Sequence, residues 1–347
     1  MDSVPYERSI TVKVNIKDVA AAAGVAQSTV SRVMNASGYV SKTTQQKVLK
    51  AMKELAYSPS ALAVSFSKSQ SHIIGFIVPN VSVGYFGKLL FAADELASKN
   101  NYRMILCNSN DSAEKERSAI MDLLSYKVGG ILIVPVENSP NADLINQILS
   151  SGTPVVCIDK EMPGTQCDSI YIDNQNGAKE LTKFALNKGH HDLRFLIYDD
   201  HALVTASYIR GVEMALLQEG ITLPKEYIFK GTTISGCSEF IRKQYNSTLR
   251  PSAFISFSSD FTVICYRTLM ALNANIPKDI SLIGYDEMHM LTPFGYTISH
   301  SPSPSDMGAL AVNMLLSRME KTDSPLPIQR VLLPTNVKIE TIDKKEM

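Results

Sequence analysis

The sequence predicts an α/β protein in which a small three-helix module precedes two lobes of doubly wound parallel sheet. Three observations predict it. From His72 onward, short apolar runs alternate with helical stretches in two successive series. Between Ile16 and Asn35, two short helical periods are broken by Gly24. Charge is also unevenly placed: residues 1–70 carry nine Lys/Arg against four Asp/Glu, while the whole chain carries 34 of each. The module is therefore basic and the remainder acidic.

In the module, Val19, Ala20 and Ala23 recur at one-turn spacing, which predicts a helix over Ile16–Ala23. Gly24 supplies the turn. Gln27–Met34 resumes the helical period with Val30, Val33 and Met34 inward and Gln27, Ser28, Ser31 and Arg32 outward. Two short helices around a Gly turn, the second with a polar outer face, describe a helix-turn-helix able to place its second helix in a major groove; a hairpin that only packs has the same period. Ser41 is the expected N-cap of a third helix buried through Val48, Leu49, Met52 and Leu55, with Pro59 as its stop. The stretch SALAVSFSKSQS has too little apolar surface for a stable helix alone and reads as a linker that folds conditionally.

Beyond it, IIGFIVP, YRMILCN, GGILIVP and PVVCID alternate with helices over 86–98, 113–125 and 142–150. A second series alternates helices over 177–187, 209–218, 237–245 and 261–272 with LRFLIYD, YIFKG, AFISFS and ISLIGYD. Continuous apolar strands of this kind belong to parallel sheets covered on both faces. Ligands in such folds lie beyond the C-terminal strand ends, which is also where two lobes face each other.

Several classes of function are disfavoured. No apolar run approaches the roughly 18 residues of a membrane span, and MDSVPYERSI lacks the apolar core of a signal peptide. Cys107, Cys157, Cys167, Cys237 and Cys265 are far apart in sequence without C-x-x-C, which reads as reduced thiols in a cytoplasmic protein. No G-x-S-x-G, H-E-x-x-H or G-x-x-x-x-G-K-[ST] is present, so neither an enzyme nor a cofactor is expected. His190-His191 reads as a helix-ending K-G-H turn in preference to a metal site.

The motifs IKDVAAAAGV, STVSRVMN, GYVSKTTQQKVLKAMKELAYSPSALA, IGFIVPN, VGGILIVP, YIDNQNGA, IPKDISLIGYDE and DMGALAVNMLL, in this order, resemble the lactose/galactose repressor (LacI/GalR) family of bacterial transcription regulators along nearly the whole chain. The resemblance implies a helix-turn-helix domain over 14–60, a hinge helix and linker over 61–71, and a two-lobed core shaped like a periplasmic binding protein over 72–340. The N-lobe is expected over about 72–171 and 302–330, and the C-lobe over about 172–301 and 331–340. It implies a homodimer reading a pseudo-palindromic operator, with a small-molecule effector, a sugar or sugar derivative, in the cleft. A solute-binding protein for sugar uptake is the alternative, opposed by the basic module.

By this resemblance Gln27 and Ser28 face base edges, Gln being suited to adenine. Arg32 suits guanine or phosphate. Thr29, Ser31, Asn35 and Thr44 fall at phosphate-contacting positions, which set register without reading sequence. Lys17 and Tyr39 complete the module's DNA-facing set. Ala63 belongs to the hinge helix, and Phe66 occupies the slot of a minor-groove wedge; a linker aromatic resting on the core is the other reading. Ala26 departs from the family's frequent Ser or Thr.

For the effector, the resemblance points to Asp286 and Asp159 at strand ends, Ser259 and Asp260 after AFISFS, and Tyr85 and Phe86 as aromatic walls. Asp260 could instead cap the following helix. Tyr208 stands where many relatives carry a ligand-clamping Arg, and Arg210 lies two residues on. Carboxylates with no Arg fork favour a hydroxyl-rich effector over an anionic one, unless Arg210 or Lys160 supplies the cation. The tail IDKKEM has no leucine heptads, from which a dimer is expected without a tail-mediated tetramer. The sign of the effector's action, induction or co-repression, is open.

Overall fold

The computed structural model describes residues 14–35, 37–57, 71–138, 140–199, 202–285, 296–299, 304–320, 327–335 and 339–340. The chain divides into a small helical unit and a large α/β unit.

The helical unit contains α1 (Ile16–Ala23), α2 (Gln27–Asn35) and α3 (Lys42–Glu54). Asn15 and Asp18 form a capping box at the start of α1, and Gly24 ends it in the left-handed conformation at φ 65°. Ser41 caps α3, accepting the Thr44 N–H. Val19, Ala20, Val30, Val48 and Ala51 form the shared core. Two expectations are corrected. Leu49 is 53% exposed, because Val48 and Ala51 take the inward face of α3. The helix also ends at Glu54, well before Pro59, with Ala56 turning the chain at φ 47°.

The α/β unit runs β1 (Ile73–Val78), α4 (Gly84–Lys99), β2 (Arg103–Asn108), α5 (Ala113–Ser125), β3 (Gly130–Ile133), α6 (Ala142–Ser150), β4 (Val155–Ile158) and β5 (Asp168–Ile172). It continues with α7 (Asn174–Asn187), β6 (Leu193–Tyr198), α8 (Ala202–Gln218), β7 (Ile228–Gly231), α9 (Ile234–Tyr245), β8 (Ala253–Ser256), α10 (Ser259–Ala271) and β9 (Ser281–Gly284). The last elements are β10 (Tyr296–Ser299), α11 (Pro304–Met319), β11 (Arg330–Leu333) and β12 (Ile339–Glu340). Two six-stranded sheets result, ordered β11-β5-β4-β3-β1-β2 and β12-β10-β9-β8-β6-β7. The central pairings are parallel, as in Ile131 with Val155 and Ala253 with Ser281; β12 alone among the described pairings runs antiparallel, against β10.

The chain passes between the sheets three times: after β5, after β10 and after β11. The expected division of the tail is corrected here. Residues 330–333 pair with β5 in the first sheet, and only 339–340 join the second. The strand reads as ordinary edge sequence, so its pattern carries no sign of which sheet receives it.

Each lobe is held by a close helix pair. A Cβ on Gly308 of α11 would stand 2.2 Å from the Leu89 carbonyl of α4, and one on Gly211 of α8 would stand 2.2 Å from the Gln175 carbonyl of α7. Only glycine permits these approaches. An ion pair with a buried carboxylate and a half-buried guanidinium ties α11 to the first sheet: Arg318 donates from Nε and Nη2 to both oxygens of Asp168, at 2.6 and 2.7 Å. The Gln329 N–H adds a third bond to the same carboxylate at 2.8 Å. The pair raises the Arg318 pKa above its ordinary value through the Asp168 hydrogen bonds.

Arg318→Ala should lower stability by about 3–5 kcal/mol, because it leaves a buried carboxylate without its partner. Urea unfolding of the full chain measures this, and a loss under about 1 kcal/mol would contradict the pair's role.

Candidate functional site

A cavity of about 290 Å³ lies at the C-terminal strand ends of the α/β unit. Six of the seven effector residues expected from sequence line it: Tyr85, Phe86, Asp159, Tyr208, Ser259 and Asp260. The seventh, Asp286, lies outside the described residues; its chain neighbour Tyr285 lines the cavity. Both lobes contribute, since Tyr85 and Phe86 begin α4 and Asp159 follows β4, while Tyr208 lies on α8 and Ser259 and Asp260 begin α10.

One wall is a hydrogen-bonded pair. Tyr85 Oη donates to Asp159 Oδ1 at 2.7 Å and lies 3.4 Å from Met307 Sδ. Asp159 leaves its strand at φ 69°, a left-handed conformation that turns the chain sharply at the end of β4. Tyr85 also meets Phe86 edge-on, with ring centroids 5.2 Å apart. The opposite wall is aromatic. Tyr208 stacks on Phe257 at 4.7 Å and meets Tyr285 edge-on at 5.4 Å. Tyr285 Oη donates to Asn174 Oδ1 at 3.1 Å. These contacts fix the ring in the slot where the resemblance expects Arg. Arg210 is exposed and absent from the described lining, whereas Lys160 is present.

Charge in the described lining is acidic on balance, with Asp111, Asp159 and Asp260 against Lys160. The open alternative for Asp260 resolves: Ser258 is the N-cap of α10, and its side chain accepts from the Phe261 N–H. Asp260 sits in the first turn, exposed to the cavity side. A neighbouring cavity of about 410 Å³ shares Asp159, Lys160, Ile172, Asn174 and Val204 and extends past Glu137, Glu161, Tyr171 and Leu203. Behind Asp111 and Lys160, Glu116 is buried and accepts bonds from the Val136 N–H at 2.7 Å and Asn141 Nδ2 at 2.8 Å. Burial pushes its pKa above the ordinary carboxyl value despite these bonds. The folded state therefore loses stability from this group as pH rises from the unfolded carboxyl range through the raised folded value.

Sequence reasoning missed Tyr198, Phe257 and Tyr285 as wall residues, together with Asn80, Asp111 and Asn174. Tyr285 had a usable signal, since it adjoins Asp286 at the end of a strand. The others follow strand ends or open helices without a marked residue type.

In the helical unit, Gln27, Ser28 and Arg32 are exposed on α2, with Thr29 and Ser31 half-buried beside them. Lys17 is exposed on α1, and Tyr39 is 91% exposed in the turn before α3. The Thr44 hydroxyl lies 2.8 Å from Ser41 Oγ. Asn35 ends α2, its side chain outside the described set. Ala26 supplies only its carbonyl, to the Thr29 and Val30 N–H groups. Ala63 and Phe66 lie outside the described residues. His190 ends α7 as the K-G-H turn requires: Gly189 has φ 87° and the His190 N–H donates to the Ala185 carbonyl.

Comparison with known proteins agrees with this two-part organisation. Residues 15–60 match the bacterial regulatory proteins, lacI family, and residues 182–340 match the periplasmic binding protein-like domain. The HTH-type transcriptional repressor PurR of Vibrio vulnificus is 30% identical over 314 residues, 88% of this chain and 92% of its own. The ribose operon repressor of Escherichia coli is 28% identical over 323 residues, 92% of this chain and 96% of its own. Among solved structures, the lac repressor dimer bound to operator and the anti-inducer ONPF shares the fold at TM-score 0.78 and 22% identity, over 94% of this chain and 98% of that one. The transcriptional regulator CelR–cellobiose complex does so at TM-score 0.67 and 21% identity, over 94% and 99%. The chain belongs to the lacI family of bacterial regulatory proteins and is a DNA-binding transcription regulator. No helix among the described residues is long and apolar enough to cross a membrane.

Tyr85→Phe should cost about 1 kcal/mol of stability, because Asp159 loses its phenolic donor in a partly buried setting. Thermal unfolding of the two proteins compares them, and equal midpoints would show that the bond contributes nothing.

Proposed function

We propose that this protein is a cytoplasmic homodimeric repressor whose operator affinity is set by a neutral, hydroxyl-rich effector, a sugar or sugar derivative, in the cavity between its lobes. The carrying observation is the lining itself. Residues from both lobes meet around a space of about 290 Å³, so a ligand filling it contacts two bodies at once and favours one arrangement of them. The PurR and ribose operon relatives are named as repressors, and the CelR structure is a complex with cellobiose. Repression, operator reading and sugar control come to this chain by that kinship.

The chemistry of the lining supports the ligand class. Three carboxylates accept bonds from hydroxyl groups and repel anions. Tyr208 cannot form the two-pronged bond that an Arg gives a carboxylate or phosphate. Its ring, with Phe257 and Tyr285, offers an apolar face to a pyranose. Lys160 is the cation that an acidic sugar would need, and it stands against three carboxylates.

On DNA, exposed Gln27, Ser28 and Arg32 read base edges, while Lys17, Thr29, Ser31, Asn35, Tyr39 and Thr44 serve the backbone. Ala63 and Phe66 are assigned to the hinge, Phe66 as a wedge in the minor groove, and Asp286 to the effector. Each assignment rests on its place in the family's motifs.

Two measurements check these roles. In gel shifts on the protein's own upstream DNA and its base variants, Gln27→Ala should change preference at particular base pairs, at about 1–3 kcal/mol for a bidentate contact. Thr44→Ala should weaken all variants alike; the reverse pattern would overturn the division of roles. Calorimetry with a panel of neutral sugars, sugar acids and sugar phosphates should find binding among the neutral ones. Asp159→Asn should weaken that binding at least tenfold while leaving DNA affinity within twofold. Tight binding confined to the phosphorylated or carboxylated members would overturn the ligand class.

A further inference from the structure

Cys157 and Cys167 are ten positions apart in the chain, and the fold brings their sulfurs to 3.1 Å. Cys157 lies within β4 and Cys167 immediately before β5, and both are buried. A disulfide places its sulfurs about 2.05 Å apart, so an approach of roughly 1 Å completes the bond. The segment joining the two is already held in place. Asn146 Nδ2 donates to the Gly164 carbonyl at 2.8 Å, and Asn146 Oδ1 accepts from the Gln166 N–H at 3.2 Å. Thr165 Oγ1 donates to the Met162 carbonyl at 2.8 Å and lies 2.9 Å from Cys167 Sγ. The same segment begins with Asp159 and Lys160, which line the cavity.

We infer that Cys157 and Cys167 form an oxidisable dithiol, converted by hydrogen peroxide into an intramolecular disulfide that locks the segment 159–166 beside the cavity. The Cys167 thiolate attacks one peroxide oxygen, the O–O bond breaks, and a sulfenic acid forms with loss of hydroxide. The Cys157 sulfur then attacks the sulfenic sulfur, its proton leaving with the displaced hydroxide as water. Two thiols and one peroxide thus give one disulfide and two waters.

Two of the other three cysteines are poor competitors, and Cys107, half-buried in β2, is the one the test has to watch. Burial pushes the Cys237 thiol up to about 12 and raises Cys265 as well, so neither offers a thiolate near neutrality. At Cys167 the hydrogen bonds of Cys157 and Thr165 hold the thiol below its ordinary value against burial, while the Cys167 bond and burial raise Cys157. Cys167 is therefore the attacking sulfur and Cys157 the resolving one. Cys167 retains 4% of its surface, whereas Cys157 retains none.

The test treats the full chain with hydrogen peroxide, quenches it, counts thiols in denaturant and maps the peptides. Five thiols should fall to three, with the peptides of Cys157 and Cys167 joined at the loss of two hydrogens and restored by dithiothreitol. Cys167→Ser should keep all its remaining thiols, and Cys157→Ser should stop at a Cys167 sulfenic acid that dimedone traps. Cys157→Ala repeats the second arm should a buried serine unsettle the fold. Trypsin cleavage after Lys160 should slow at least threefold in the oxidised protein. Loss of Cys107 with the pair untouched, or a linked pair with unchanged cleavage after Lys160, would overturn the inference.

Discussion

The cavity has walls from two sheets that share one chain, and the function follows from that constraint. The chain passes between the sheets three times, so the lobes are tethered yet remain separate bodies with separate cores. A ligand that touches Tyr85 and Asp159 on one side and Tyr208 and Ser259 on the other adds its binding energy to one arrangement of the lobes. The coupling this provides is typically about 1–3 kcal/mol, and it must act equally in both directions. Each lobe has to resist deformation for the coupling to reach beyond the cavity. The glycine contacts of α4 with α11 and α7 with α8, and the Asp168–Arg318 pair, give the lobes that stiffness.

Departures from the family's pattern shape the ligand chemistry. In the slot where the resemblance expects Arg, Tyr208 is stacked on Phe257, and Arg210 is exposed and outside the described lining. The remaining Lys160 faces three carboxylates. On the proposed reading, such a lining favours many hydroxyl donors and one apolar face and penalises a negatively charged ligand.

Much of this was legible in the sequence, for identifiable reasons. Helix α1 was read at its true bounds because Val19, Ala20 and Ala23 repeat at one-turn spacing and Gly24 ends it; the structure adds the Asn15–Asp18 capping box at its start. Helices α5 and α6 were read at theirs, because each buries one regular stripe. The start of α8 was missed by seven residues. There Leu203 is exposed, Val204 faces the cavity and Thr205 is buried, so the stretch lacks the period of a core-facing helix. The Asp168–Arg318 pair joins residues 150 apart, and the Cys157–Cys167 contact spans two strands without a motif. Pairings of this kind are fixed by sheet order, which local pattern does not carry. The same reason explains why residues 331–333 were assigned to the wrong lobe, while 330 was placed in the right one.

The central claim is that ligand in the cavity and DNA on the helical unit bias one common equilibrium. Its most direct test is a pair of titrations on the full chain with whichever neutral sugar binds it. The sugar's dissociation constant is measured without DNA and with saturating upstream DNA, and the DNA's with and without saturating sugar, at one salt concentration. The account predicts that the two ratios are equal and differ from unity by about 5- to 150-fold. Ratios of one in both titrations would mean that the cavity and the DNA-reading helix act independently, contradicting the account.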